Sequence, residues 1–431
     1  MTRCRGGGGV VAALTVLTFV VGGTVLPSAG APGCGRNVVA SDTADLRDAF
    51  RDAHDDAADA DCATWELRIS GTYLIEPGGS PGAGPLFHET PFEGTPLALR
   101  VVGPVGGTAR IEADGDGTRL IDALDGGPLT IERVVLAGGS VEGLVPAPGV
   151  VDNFIAFGGA ILADAVELID SELTDNTADV GGAVFATEVR AERTSFIDNR
   201  VLGAIAQGGA IRATESVTLV NVTLTGNIAK EGGAVWLPAG EPFDATFVTF
   251  RGNSATAVDG GADLHRGLAG GGAVSLRGVL FGGVADGSAG ASCGGVALPS
   301  VADGLVREGT FATDASCGEV TVLDAVPSFA TVEFRPGMTD LPVPDGGPVA
   351  VGEVACDGGW PAVDQRGVAR PQGDGCDAGA VERIVAPDPD PGPGPEPEPA
   401  PVEAVVDGPV PTLVPAGDGT CADGCPALSS R

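Results

Sequence analysis

The sequence predicts an all-β chain wound as a parallel β-helix, and three observations carry that expectation. The phrase Gly-Gly-Ala-Ile/Val returns at Gly158, Gly181, Gly208 and Gly232, in steps of 23, 27 and 24 residues. A second phrase is interleaved with it, LTDN, FIDN, LTGN and FRGN, ending at Asn176, Asn199, Asn227 and Asn253 in steps of 23, 28 and 26. The runs between them, such as 165–170 and 216–224, alternate Val, Leu and Thr with polar residues and are too short for helices. A fixed period in this range marks a solenoid whose coils bury a core only by stacking on one another. Short strands without crossover helices fit parallel coils spaced ~4.8 Å apart.

The repeat residues have readable roles. Gly-Gly supplies backbone positions with positive φ at a corner, Ala keeps the tight interior clear, and the following Ile or Val points into the core. Asn tolerates left-handed geometry and bonds neighbouring backbone, so Asn176, Asn199, Asn227 and Asn253 are expected to stack as an internal amide ladder.

Taken in order, residues 1–31 read as a secretory signal, with Arg3 and Arg5 before an apolar run from Val10 to Leu26 and an Ala29-Gly30-Ala31 cleavage site. Removing it removes Cys4 and leaves eight cysteines, Cys34, Cys62, Cys293, Cys317, Cys356, Cys376, Cys421 and Cys425. An even number in an exported chain favours disulfides. Pairing between sequence neighbours is the simplest of the 105 possible connectivities. Residues 32–64 hold one amphipathic helix, Leu46, Ala49, Phe50, Ala53 and Ala57 recurring at helical spacing behind Ser41 and Asp42. The open end of a solenoid exposes strand edges, so this helix is expected to cap it.

The solenoid proper is expected over 65–325. Early, irregular coils have strands at 65–76, 97–102, 108–112, 119–123 and 129–136, with loops at 77–96 and 141–154 standing out from the stack. Regular repeats occupy 158–274, fading after Gly260 and returning once at Gly271 to Val274. Residues 326–385 are expected to close the far end as a cap, Asp364, Arg366, Arg370 and Glu382 serving ion pairs rather than catalysis. Residues 386–431 open on an acidic proline run from Pro387 to Pro401, an extended and disordered spacer. No stretch after the signal is long and apolar enough to span a bilayer.

The paired phrases Gly-Gly-Ala-Ile/Val and Phe-x-x-Asn resemble the repeats of polymorphic outer-membrane proteins. Two copies carry the Phe, at Phe196 and Phe250, while Leu173 and Leu224 replace it in the others. Asp45-Leu-Arg-Asp-Ala-Phe50 is similar to a phrase of secreted bacterial β-helix proteins. The chain from Ser292-Cys-Gly-Gly through Asp364-Gln-Arg-Gly-Val-Ala-Arg-Pro-Gln372 to Glu382 resembles the carboxy-terminal region of choice-of-anchor Q surface proteins. These resemblances imply a right-handed, pectin-lyase-like β-helix, exported and presented at a bacterial surface. A bias to Ala, Gly and Arg, with Lys230 as the only lysine, agrees with a bacterial origin.

Composition narrows the function. A net charge of −34 over 431 residues repels nucleic acid and anionic headgroups. Enzymes on parallel β-helices need two or three converging carboxylates. The best pair in the sequence is Asp175 and Asp198, which precede ladder asparagines in successive coils, although Gly226 and Gly252 hold the next two equivalent positions. Asp114-Gly-Asp-Gly117 lacks the later ligands of a calcium loop and reads as a turn. Cys421 and Cys425 have no nearby partners to complete a zinc set, so neither a metal nor a cofactor is expected. The expectation is a secreted or cell-surface module of adhesion or structure without catalytic activity, meeting a cell-envelope or host-surface glycan or protein. A polysaccharide lyase or hydrolase on the same scaffold is the alternative.

Overall fold

The computed structural model describes residues 34–38, 43–78, 84–89, 96–143, 156–267, 272–295, 306–308, 310–318, 320–345, 354, 356 and 359–384. The signal, the proline run, Cys421 and Cys425, and most of both protruding loops lie outside them.

Among the described residues, twenty-three strands share one sheet in which every strand pairing is parallel, and four two-residue strands form a second parallel column. The chain is an all-β parallel solenoid. The first regular coil shows the plan: Ile161–Ile169, Glu172–Thr174 and Thr177–Ala178 are its strands, and Val184–Glu192, Ser195–Ile197 and Arg200–Val201 repeat them in the next coil. Register is strict, with Ile161 opposite Val184 and Leu173 opposite Phe196. Inward residues form one continuous core from Leu46 in the helix to Phe281 and Cys317.

Each corner turns on a single left-handed residue. The first corner uses Gly158, Gly181, Gly208, Gly232 and Gly261 (φ 60 to 72°), and the corner before the ladder uses Asp175, Asp198, Gly226 and Gly252 (φ 54 to 68°). Between them Arg133, Asp170, Arg193, Asn221 and Phe247 take φ of 47 to 55°. The non-glycine corner at Arg133 explains why 129–136 reads as a single strand, while in 65–76 the break falls at Gly71 (φ 85°). The structure breaks them into Thr64–Ile69 with Gly71–Ile75, and Leu129–Glu132 with Val134–Ala137. The second glycine of each phrase serves a different end. A Cβ on Gly182 would lie 2.0 Å from Gly209 O in the next coil, so only a bare Cα allows the coils their spacing.

The phrase at Gly271 to Val274 does not return to that corner. Val274 pairs with Phe243 on the following face, whereas Leu264, opposite Val235, marks Gly261-Ala262-Asp263 as the fifth corner.

The helix Thr43–Asp59 buries Leu46, Ala49, Phe50, Ala53 and Ala57 and packs against Gly35–Val38, the strand that ends the stack, and against the coil beyond it. Cys34–Cys62 ties the chain leaving the helix to the start of that first strand. Two further disulfides join Cys293 to Cys317 and Cys356 to Cys376.

The described residues of 326–384, a segment expected to close the far end, make their bonds along the side of the stack. They run back along the flank formed by Glu172–Thr174 and its equivalents in the other coils. Thr108 Oγ1 donates to Pro336 O (3.1 Å), Thr339 N to Glu172 Oε2 (2.8 Å), Asn221 Nδ2 to Val363 O (2.9 Å) and Ala380 N to Thr249 Oγ1 (2.9 Å). The outward polar stripe Glu172, Ser195, Thr223, Thr249 is thereby covered, and burial of these groups demands the partners this segment supplies. Phe247 is its anchor, tilted against Trp360 (5.0 Å between ring centroids, 51° between planes) with the Arg370 guanidinium 3.9 Å from its ring. These contacts offset a left-handed conformation that costs a bulky residue about 1–2 kcal/mol.

Candidate functional site: a planar strip on the outer face

The residue after each inward Ile or Val points out of the solenoid, and register aligns Leu162, Phe185, Arg212, Trp236 and His265 in one column. Apart from Leu162 these are planar groups, stacked at the coil spacing. Phe157 lies against Phe185 (4.8 Å), the Arg212 guanidinium sits 3.7 Å from the Trp236 ring, and Trp236 stacks on His265 (6.1 Å, 14°). Trp236 is 4 % exposed, its faces occupied by Arg212 and His265, so a ligand meets the edge of the stack and not an open ring. Phe185 and Arg212 are half-buried, as are Gln207 and Glu231 in the adjacent corner column.

The strip is held by hydrogen bonds along its side. Glu231 Oε2 accepts from Gln207 Nε2 (3.0 Å) and Trp236 Nε1 (3.2 Å). His265 Nδ1 lies 3.0 Å from Gly260 O and must donate to that carbonyl, which leaves Nε2 facing Glu231 Oε2 at 3.8 Å. Burial holds His265 below its ordinary pKa, although Glu231 opposes the shift.

Arg212 is the unusual member. Burial lowers its pKa to about 10, and among the described residues no carboxylate lies within ion-pair distance of it. It donates only to Gln207 Oε1 (3.4 Å) and to Ala213 O. In a chain with 58 acidic residues against 24 basic ones, Arg100, Arg119, Arg133, Arg193 and Arg370 each pair with at least one acid, while Arg266, fully buried, is held instead by the carbonyls of Ala239, Glu241 and Gly272. Arg212 therefore presents a rigid, partly desolvated guanidinium edge suited to an acidic group.

The sequence-derived candidates fall elsewhere. Asp175 and Asp198 stand in adjacent coils at exposed corner positions with φ of 57° and 54°. Thr174 Oγ1 donates to Asp175 Oδ2 (3.1 Å), and Asp198 is raised by burial and then by Asp175, with Arg200 opposing. Their backbone role is the one Gly226 and Gly252 fill two coils on. The four asparagines form an unbroken buried column. Asn176 Nδ2 donates to Asn199 Oδ1 (2.9 Å), Asn199 Nδ2 to Asn227 Oδ1 (3.0 Å) and Asn227 Nδ2 to Asn253 Oδ1 (3.0 Å), and each Oδ1 also accepts the backbone N–H of the preceding asparagine. Asp364 bonds Arg366, and Arg370 bonds Glu382 (2.6 Å), within the flanking segment. Asp114 and Asp116 lie in an exposed turn with Gly115 and Gly117 at positive φ. Among the described residues no group of three His, Cys, Asp or Glu is placed to hold a metal, and no helix is long and apolar enough to cross a membrane.

The sequence held a signal for the strip that motif reading passes over: its members share one repeat position, directly after the core residue of each phrase. Compared with known proteins, the chain matches no family model, no curated protein and no solved structure.

Proposed function

We propose that the chain is an exported, surface-displayed adhesion module, a right-handed pectin-lyase-like β-helix related to choice-of-anchor Q proteins. Right-handed winding is the rule for parallel strands joined within one sheet. Three disulfides are compatible with an oxidising compartment. The observation that carries the binding reading is the unpaired guanidinium of Arg212, fixed at the outer face between Phe185 and Trp236. It suits a cell-envelope or host-surface glycan bearing sparse carboxylates, since a dense polyanion meets the repulsion of a −34 chain. A glycan array compares the wild type with Arg212→Gln. The expected result is binding to uronate- or sialate-bearing glycans at low salt that Arg212→Gln loses tenfold or more, a difference of about 1.4 kcal/mol. Equal binding by both proteins, or none by either, removes the strip as the contact. Fractionation of producing cells with intact mass of the mature protein tests export.

A second reading has one observation in its favour. The raised carboxyl of Asp198, next to Asp175 and Arg200, has the form of an acid and base pair for polysaccharide cleavage. Reducing-end and unsaturated-product assays on acidic polysaccharides test it, activity lost in Asp198→Asn being the supporting outcome.

A further inference from the structure

The amide column stops at Asn253. In the register Phe250 opposite Phe281, the next coil brings Val284 where a fifth asparagine would stand. The spare proton of Asn253 Nδ2 goes instead to Asp263 Oδ1 (2.8 Å), in its own coil. Asp263 occupies the place of Ala160, Ala183, Ala210 and Ala234 in the earlier corners, the position that keeps the interior clear, and it is 0 % exposed.

A carboxyl in that place is only half satisfied. Its Oδ2 has no hydrogen-bond partner of normal geometry, and neither has the buried Oγ of Ser292, which sits in the next coil where Asp263 N and Leu264 N both donate to Ser292 O. The groups facing Asp263 are Asn253 from its own coil, Ser292 from the next and Asp314 from the coil beyond, whose carboxylate accepts Ser292 N (3.0 Å) and Ser316 N (2.8 Å). Among the described residues, no cation faces Asp263. An ionised carboxylate held by one amide in a dry core, with a second carboxylate nearby, is costly. The neutral acid has an Oδ2–H to donate, and Ser292 Oγ is the unsatisfied acceptor beside it.

We propose that Asp263 is a proton-dependent latch between the regular coils and the last coils of the solenoid, closed as the neutral acid and opened by ionisation. Opening is local, because Cys293–Cys317 keeps the outer coils joined to each other. Burial pushes the Asp263 carboxyl up to about 7, above its ordinary value of 3.8. The folded joint thus holds a proton that the opened joint gives up, and the contribution to stability is fully present below pH ~4 and lost as pH rises through ~7. The latch is independent of what the outer strip binds.

Hydrogen exchange of the full chain at pH 5.5 and pH 8, with each rate corrected for intrinsic exchange, tests it. The expected result is a loss of protection of about tenfold or more at pH 8 in 284–295 and 311–318, with little change in 181–201. Asp263→Asn keeps the shape of the neutral acid and an N–H donor, and is expected to hold the pH 5.5 protection at pH 8. Should that variant fail to fold, Asp314→Asn supplies the second reading: losing the repulsion of the facing carboxylate eases ionisation of Asp263 and is expected to move the midpoint down in pH. Uniform protection at both pH values, an unshifted midpoint in Asp314→Asn, or pH dependence retained in Asp263→Asn overturns the latch.

Discussion

In the regular coils four buried neutral amides form a column, and the first three each pass a hydrogen bond to the counterpart one coil on. The segment 360–384 that flanks them instead buries Asp364, Arg366, Arg370 and Glu382 as ion pairs within a few turns of chain, closed by Cys356–Cys376. The difference follows from translation. A residue type repeated at the coil period always meets its own kind, and Asn, donor and acceptor at once, is satisfied by a copy of itself. A segment that does not repeat must bring each partner separately, and charge-assisted bonds hold it where no periodic neighbour is at hand.

Spacing between coils is the term the regular region tolerates least. Gly182→Ala drives a Cβ to 2.0 Å from the Gly209 carbonyl, and backbone on both sides leaves no side chain to give way. We expect a loss of about 3 kcal/mol or more, read from the urea midpoint, with the lost coil contact spreading to its neighbours. Gly373→Ala in the flanking segment, where an added Cβ meets nothing within 4 Å, is expected to change stability by less than ~0.5 kcal/mol. Similar losses from both would dissolve the distinction drawn between the regions.

The flank is most sensitive at its charges. Arg370 is held by Glu382 Oε2 (2.6 Å), Asp377 O (3.1 Å) and Gly379 O (2.8 Å), and Glu382 also accepts Gln372 N and Asp377 N. Glu382→Ala leaves a buried guanidinium without its carboxylate and is expected to cost about 3–5 kcal/mol in chemical denaturation. Pairing it with Arg370→Met is expected to recover part of that loss, and a double-mutant cycle with no coupling between them would contradict the ion-pair account. In the ladder, Asn199→Ala removes the side-chain partner of Asn176 N and Leu173 O and one of the two acceptors of Asn176 Nδ2, for an expected loss of about 2–4 kcal/mol by the same assay.

What could be read in advance divides along the same line. The amide column, the inward residues and the helix Thr43–Asp59 were legible because each rests on a period, 23 to 28 residues for the coils and 3.6 for the helix. The lie of 326–384 was not, since nothing in Thr339 or Ala380 taken alone says that it will meet Glu172 or Thr249. The corners at Arg133, Arg193 and Phe247 were hidden because their side chains do not look like turn residues. Arg212 was missed for another reason. Its neighbours in the strip are far apart in sequence and differ in type, so only the register reveals that Phe185, Arg212, Trp236 and His265 form one stack.

The N-terminal end titrates opposite to the latch. His88 is 0 % exposed, stacked on His54 of the helix (5.3 Å), with Nε2 donating to Leu97 O (3.0 Å). Burial, and then His54, lower its pKa to about 4. A buried neutral histidine is stabilising above its unfolded value of ~6.5 and that stability is lost as pH falls toward ~4, so unfolding is expected to ease by up to about 3 kcal/mol across that window. Melting curves of His88→Gln between pH 7 and pH 4 are expected to be flatter than wild type, and a wild-type profile already flat there would remove the histidine stack as an acid-sensitive element.

The smallest expected effect decides the most about function. If Asp175 and Asp198 are corner residues, Asp175→Gly and Asp198→Gly install what Gly226 and Gly252 already provide at the same φ. Glycine meets no steric penalty at positive φ, and its greater freedom in the unfolded chain offsets part of that gain, so each variant is expected within ~0.5 kcal/mol of wild type. Removing Asp175 also removes a like charge beside Asp198, whose carboxyl is then expected to titrate lower. Stability unchanged together with unchanged glycan binding places both aspartates in the scaffold. A stable protein that has lost turnover of an acidic polysaccharide would instead separate these two corners from Gly226 and Gly252, and make the irregularity of the repeat, not its regularity, the place where the chemistry resides.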